Sequence, residues 1–236
     1  EKVKTSRRAI KADALILSLG IRANTGFLAD TGIELAPNKT ILVDEHLRTS
    51  DEDIYAAGDC AMVVNRMTGE RAWSPMGSSA NIEGRILAQN LEGADISYPG
   101  VLGTGVVKLP GLNAGRTGLT EAAAKAAGHD VITVLGAVDD KAHYYPGAGS
   151  FIVKMIADKT TREFLGIQVL GKGAVDKMVD IAVVALSMKA TVNQLEHLDF
   201  AYAPPFSTAI HPFGHMINVL LNKMEGKLDS FTPAEF

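Results

Sequence analysis

The eleven residues Thr49-Ser50-Asp51-Glu52-Asp53-Ile54-Tyr55-Ala56-Ala57-Gly58-Asp59 carry the densest chemistry in this chain. Residues 53–57 read as a short strand that closes on two small residues. Gly58 would then bend the backbone, and Asp59 would present a carboxylate at the strand's C-terminal edge. In open α/β sheets, ligands bind beyond such edges. A carboxylate there can accept hydrogen bonds from ligand hydroxyls, while Ala57 and Gly58 permit a close approach. Gly-Asp by itself is equally the sequence of an ordinary turn. Two aromatic segments follow, His143-Tyr144-Tyr145-Pro146-Gly147 and Ala201-Tyr202-Ala203-Pro204-Pro205-Phe206-Ser207. A phenol can give a proton or a hydrogen bond to a thiolate or a peroxide. The same segments also read as proline-ordered turns that pack their rings. Asn81 falls at the expected start of a helix, where free N–H groups attract partial negative charge; alternatively it caps that helix. Cys60, the one cysteine, has no adjacent histidine or lysine to favour a thiolate, and reads as a small, inert core residue. His211 and His215 have metal-ligand spacing. They lack a third ligand nearby, and Pro212 disturbs the first turn, so no metal is expected.

These residues must be positioned by a chain of 236 residues, 47% hydrophobic and 21% charged, enough for one large or two modest domains with a real core. Lys and Arg number 23 against 27 Asp and Glu, which offers no electrostatic footprint for nucleic acid. No apolar run reaches the ~18 residues of a membrane span. A single cysteine fits a reducing compartment, so a cytoplasmic protein without nucleic-acid or membrane partners is expected. Residues 12–19 (ADALILSL), closed by Gly20, read as a buried strand with nothing ahead of it to pair with. The chain therefore reads as a piece of a larger protein. Residues 40–44 suggest another strand, and 78–91 a helix with Ala80, Ile82, Ile86, Leu87 and Leu91 apolar and Gly93 beyond its end. A composition shift at Tyr98-Pro99-Gly100 suggests a boundary. Beyond it, strands are expected at 102–109, 131–138, 150–157 and 163–170, and helices at 120–127, 174–189, 192–197 and 213–223. The expected fold class is thus an α/β portion followed by an α+β unit, an antiparallel sheet with helices. Met178, Val179, Val184, Ala185 and Met188 should form a core or dimer face. The apolar faces of 174–189 and 213–223 exceed what a domain of this size needs for itself, and so predict a homodimer.

Taken whole, the 49–59 stretch resembles the second flavin motif of the FAD-dependent pyridine nucleotide-disulfide oxidoreductases. Leu19-Gly20-Ile21-Arg22-Ala23-Asn24 resembles the loop that leaves that family's pyridine-nucleotide domain, with Ala23 where the family usually has Pro. The resemblance implies that Asp59 binds the ribityl chain of FAD, with Thr49, Ile54, Tyr55 and Gly58 on the same cofactor side. Residues 101–224 resemble the family's C-terminal dimerisation domain. The two aromatic segments are similar to those of the coenzyme A-disulfide reductases and their NADH oxidase and persulfide reductase relatives. In that subgroup the matching tyrosines reach across the dimer into the partner's active site. This assigns Tyr144 and Tyr202 to catalysis, and Tyr202 to cofactor contact as well. Asn81 matches a position that contacts coenzyme A. Where the subgroup continues into Lys-Asp-Pro, this chain has Ile210-His211-Pro212. A fixed cation for coenzyme A phosphate is lost, and His211 is expected to be only partly charged at neutral pH.

The resemblance divides the chain into four segments: 1–22, last strand and exit of the pyridine-nucleotide domain; 23–100, C-terminal part of the FAD domain; 101–226, dimerisation domain; 227–236, tail. It implies a homodimeric enzyme that uses FAD and NADH or NADPH. The acceptor would be a coenzyme A disulfide, a persulfide or polysulfide, or oxygen, reached through a redox cysteine outside this chain. No G-x-G-x-x-G phosphate loop is present in the sequence. By itself the chain is expected to be inactive and to hold FAD weakly. The competing reading is a non-catalytic dimerisation or interaction module of the same descent.

Overall fold

A computed structural model describes residues 2–233 and 235–236. Glu1 and Ala234, which fall within the outer segments 1–22 and 227–236, lie outside the described residues. Strands β1 (Lys2–Lys4) and β2 (Ala9–Lys11) form an antiparallel hairpin. Its turn is closed by the Thr5 hydroxyl, which donates to the Arg8 carbonyl at 2.8 Å. The apolar run 12–19 does not become the buried strand expected of it. It has no regular structure, and Ile16 and Leu19 are 89% and 88% exposed. A strand needs neighbours to take its backbone groups and cover its faces. The hairpin strands are three residues each, and residues 12–19 pair with neither of them.

The first core is built mostly from turns. Strand β3 (Ile41–Leu42) runs parallel to β4 (Ala61–Val64), which pairs antiparallel with β5 (Arg71–Ala72). Only two of the residues in 40–44 are therefore strand. Residues 53–57 are not a strand either. They form one arm of a tight turn in which the Thr49 amide donates to Ile54, the Ala56 amide donates to Leu47, and a single bridge joins Arg48 to Tyr55. The regular strand, β4, follows Gly58-Asp59 instead of preceding it. Leu47, Val43, Val63 and Tyr98 fill this core. Helix α1 (Gly77–Leu91) covers it with Ile86 and Leu87 while Ile82 and Leu91 stay exposed. The chain leaves the first core at Val101, whose amide donates to Val64 at 2.9 Å, and enters the second at Leu102.

The second core rests on a five-stranded antiparallel sheet. Its strands are β6 (Gly105–Leu109), β7 (Leu112–Gly118), β8 (Val131–Asp139), β9 (Ser150–Asp158) and β10 (Phe164–Gly171), in spatial order β6-β7-β10-β9-β8. The Pro110-Gly111 turn sets Leu109 opposite Leu112 and so fixes the β6–β7 register. Helix α2 (Glu121–Ala126) is capped by the Thr120 hydroxyl, which accepts from the Ala123 amide. Helix α3 (Val175–Ser187) packs on β7 and β10, and α4 (Pro212–Met224) on β8 and β9. Bare Gly115 lets α3 approach, since a Cβ there would lie 2.8 Å from Val179 Cγ2. The 192–197 segment is a single 3-10 turn (Val192–Leu195), opened by the reciprocal Thr191–Gln194 capping box.

Apolar surface is spent unevenly. The α4 stripe of Phe213, Met216, Ile217, Leu220 and Leu221 is wholly buried within its own subunit, so the surplus expected there does not exist. On α3, Met178, Val179 and Ala185 are buried, whereas Val184, and Met188 at the helix C-terminus, are exposed. On the sheet face opposite the helices, Val107, Leu135 and Ile152 are about half exposed and, with Met76, line a concave cavity of about 670 Å³. Among the described residues no helix is long and apolar enough to cross a membrane.

Candidate functional site

The turn at Gly58-Asp59 is held from several sides. Gly58 has φ +82°, a left-handed conformation that any side chain would strain. Its amide donates to Glu83 Oε2 at 2.6 Å, and its carbonyl accepts from the Ala61 amide at 2.9 Å. The Trp73 indole donates to the Asp59 carbonyl at 2.8 Å. A Cβ on Gly58 would meet the Ala80 Cβ at 3.5 Å, so α1 crosses close behind the turn. The backbone of Asp59 is therefore fixed while its side chain remains exposed. An exposed carboxylate on a pinned turn, approached across Gly58 and Ala57, fits the hydroxyls of a polyol such as the ribityl chain of FAD.

Glu83 was not among the residues expected to matter. It is 1% exposed, inside α1, and faces the first core. Burial pushes its carboxyl above the usual range, partly offset by the hydrogen bond from the Gly58 amide and by the nearby Tyr98 hydroxyl. Burial, together with the Glu83 charge, drives the Tyr98 phenol up to about 12. Ser79 supports Tyr98 and lies 2.9 Å from the Ser74 hydroxyl. The available signal was spacing. Residues 83, 86 and 87 share a helical face, so the apolar stripe through Ile86 and Leu87 continues into a carboxylate.

The other candidates are distributed as follows. Thr49 spends its hydroxyl on its own turn, donating to the Asp51 carbonyl and accepting from the Asp51 amide, both at 3.1 Å. Ile54 is exposed, and the Tyr55 ring lies 5.7 Å beneath the Arg48 guanidinium. Asn81 neither starts nor caps α1. It lies in the second turn, where its side-chain amide donates to the Gly77 carbonyl at 2.8 Å, while Met76 occupies the cap position. Tyr144 and Tyr202 belong to the second half of the chain and are 68% and 51% exposed, Tyr144 edge-on to His143. Cys60 is half-buried, its thiol directed at the Ala57 carbonyl.

His211 departs from the expected partial charge. It is buried, stacks on Phe200 at 4.5 Å, and caps α4 by accepting from the Phe213 amide at Nδ1, 3.2 Å away. Burial, then the nearby Lys177 charge, lowers its pKa to about 4, so it is neutral at pH 7. The structure thus brings Gly58, Asp59, Glu83 and Tyr98 together, and leaves both catalytic-candidate tyrosines on exposed surface.

Two family descriptions match this chain: "Pyridine nucleotide-disulphide oxidoreductase" over residues 1–80, and the dimerisation domain of the same family over residues 106–212. A Pyrococcus furiosus protein described as NAD(P)H sulfur oxidoreductase (CoA-dependent) is 36% identical over 93% of this chain and 50% of its own length. An NADH oxidase of Methanocaldococcus jannaschii is 30% identical over 96% of this chain and 50% of its own length. Among solved structures, an NAD-dependent persulfide reductase from A. fulgidus superposes with a TM-score of 0.84 at 38% identity, covering 90% of this chain and 39% of that one. The chain spans about half the length of the relatives it matches.

Proposed function

Because the chain belongs to the pyridine nucleotide-disulphide oxidoreductase family, we propose that its residues form the flavin-closing and subunit-pairing part of a homodimeric FAD- and NAD(P)H-dependent oxidoreductase. The acceptor is a coenzyme A disulfide, a persulfide or polysulfide, or oxygen. The observation that carries this reading is the pinned Gly58-Asp59 turn, with its backbone fixed by Glu83 and Trp73 and its carboxylate left free. When bound, FAD supplies the route by which a hydride from NAD(P)H becomes reducing power for the acceptor.

Asp59 accepts hydrogen bonds from the polyol hydroxyls, and Gly58 lets the polyol approach the backbone. Tyr202 and Tyr144 serve the partner's site, where a phenol donates a hydrogen bond or proton to a sulfur or oxygen anion. Their exposure within one subunit is what such a role requires. Cys60 is not the redox cysteine in this reading. Its half-buried thiol points at a backbone carbonyl within the flavin turn, and the redox cysteine lies outside these 236 residues. Val184 on α3 and Met188 just past its end offer apolar surface for subunit pairing. Phosphate recognition at residues 210–212 is weak, since neutral, buried His211 cannot replace a lysine.

The test is an anaerobic assay of the full-length protein for NADH and NADPH oxidation with coenzyme A disulfide, polysulfide and, separately, oxygen. Turnover with at least one acceptor by a flavin-containing dimer is expected. A colourless protein without turnover would leave only the dimerisation module.

A further inference from the structure

Glu83 is an unusual residue for its place: a carboxylate 1% exposed in a helix that packs a small apolar core. Burying a carboxyl is costly unless its oxygens are partnered. Here the partners are specific. Oε2 takes the Gly58 amide at 2.6 Å, and the Tyr98 hydroxyl is near the same carboxyl. The Gly58 amide belongs to the one residue in the turn whose φ is left-handed. Without Glu83 that amide would be left without its acceptor in a partly buried setting, and the turn would lose the bond that ties it to α1.

Leu47, Val63 and Ala61 already fill the core around this region, so an apolar side chain could serve packing at position 83. What an apolar side chain could not do is accept from Gly58. Resting on the flavin reading of Asp59, we infer that Glu83 is a positioning residue for the cofactor. It sets the Gly58 peptide so that the next residue, Asp59, directs its carboxylate at the FAD polyol. Tyr98 braces Glu83 from behind, which couples the flavin turn to the segment where the chain leaves the first core.

The experiment measures FAD affinity of the full-length apoprotein by quenching of FAD fluorescence, with thermal melting of each variant in the absence of FAD. Glu83→Gln keeps an acceptor oxygen and a polar group facing Tyr98, and should hold FAD within about threefold of the wild type. Glu83→Leu keeps bulk but no acceptor, and should weaken FAD roughly tenfold or more, with rescue by Gln identifying the hydrogen bond as the cause. A Leu variant that melts lower but binds FAD as tightly as the wild type would overturn the inference and leave Glu83 a structural residue. Should Glu83→Leu fail to fold, Tyr98→Phe removes the brace and keeps the ring. It should weaken FAD by about threefold, and unchanged affinity there would likewise overturn the inference. Asp59→Ala separates the two levels. If it weakens FAD while the Glu83 and Tyr98 variants do not, the positioning role fails alone; if it too leaves FAD unaffected, the flavin reading fails and takes the Glu83 role with it.

Discussion

The two halves of the molecule solve the problem of order by opposite means. Around Leu47, Val63 and Tyr98 the chain has strands of two to four residues, and its shape is fixed by turns and by one buried carboxyl hydrogen-bonded to a backbone amide. From Gly105 to Met224 it has strands of five to nine residues and two helices of thirteen, fixed by a broad apolar interior. The first arrangement leaves a turn backbone rigid and a side chain free, which suits ligand holding. The second keeps Tyr144 and Tyr202 outside the core, as their proposed contribution to another subunit requires. The contrast suggests that polar bonds dominate where a cofactor must approach the backbone, and apolar packing where a platform is needed.

The largest expected effect is on the platform. Phe213 is fully buried and packs edge-on against Phe164 and Phe200 at centroid distances of 5.9 and 6.0 Å. Phe213→Ala should cost about 3–5 kcal/mol in a urea titration. A loss of under about 1 kcal/mol would mean the second core is not the source of its order.

The pH dependence of stability should differ in sign between the halves. His211 has a folded-state pKa of about 4 against an ordinary 6.5. The unfolded state therefore takes the proton first, and stability falls as pH drops from about 6.5 toward 4, by up to about 3 kcal/mol. Glu83 is raised, so its contribution is complete below its ordinary 4.5 and declines as pH rises through its folded-state value. His211→Asn keeps a capping side chain and should flatten the first slope, and Glu83→Gln should flatten the second. Denaturant midpoints between pH 4 and 7 for both variants would show this. Parallel curves for the wild type and His211→Asn would contradict the buried, neutral histidine.

A smaller effect is expected at the tyrosines. In the full-length dimer, Tyr202→Phe should lower NAD(P)H-linked turnover by about ten- to a hundredfold, the worth of 1–3 kcal/mol in a transition-state hydrogen bond. Melting should hardly change, because an exposed phenol contributes little to the fold. Tyr144→Phe should act in the same direction but more weakly. Unchanged turnover with lowered stability would make the AYAPPFS segment a structural turn.

Legibility in the sequence follows the same division. Helices α3 and α4 carry strong 3.6-residue apolar stripes and cores of Val, Met and Leu, and their positions were readable to within two residues. Strand β7 was not, because Asn113-Ala114-Gly115-Arg116-Thr117-Gly118 has no alternation; its pairing comes from the Pro110-Gly111 turn and the neighbouring β10. In the first half, residues 53–57 looked like a strand on β propensity, but an acidic turn at Asp51-Glu52-Asp53 folds them back after one bridge. Asp59 stood out through the resemblance of the whole 49–59 stretch to a flavin motif, since Gly58-Asp59 alone reads equally as a turn. Glu83 did not, since its role depends on an amide 25 residues away that no local pattern reveals. Asn81 looked like a cap on residue type, although both the expected helix, 78–91, and the observed one, from Gly77, place it inside.

The central claim is that the pinned Gly58-Asp59 turn holds a flavin. Its most direct measurement is titration of the full-length apoprotein with FAD, for the wild type and for Asp59→Ala, read by fluorescence quenching alongside melting of the flavin-free proteins. Asp59 is exposed, so the substitution should leave melting unchanged and weaken FAD by about tenfold, the loss of a charge-assisted hydrogen bond. Equal affinity in the two proteins, with equal melting, would contradict the claim.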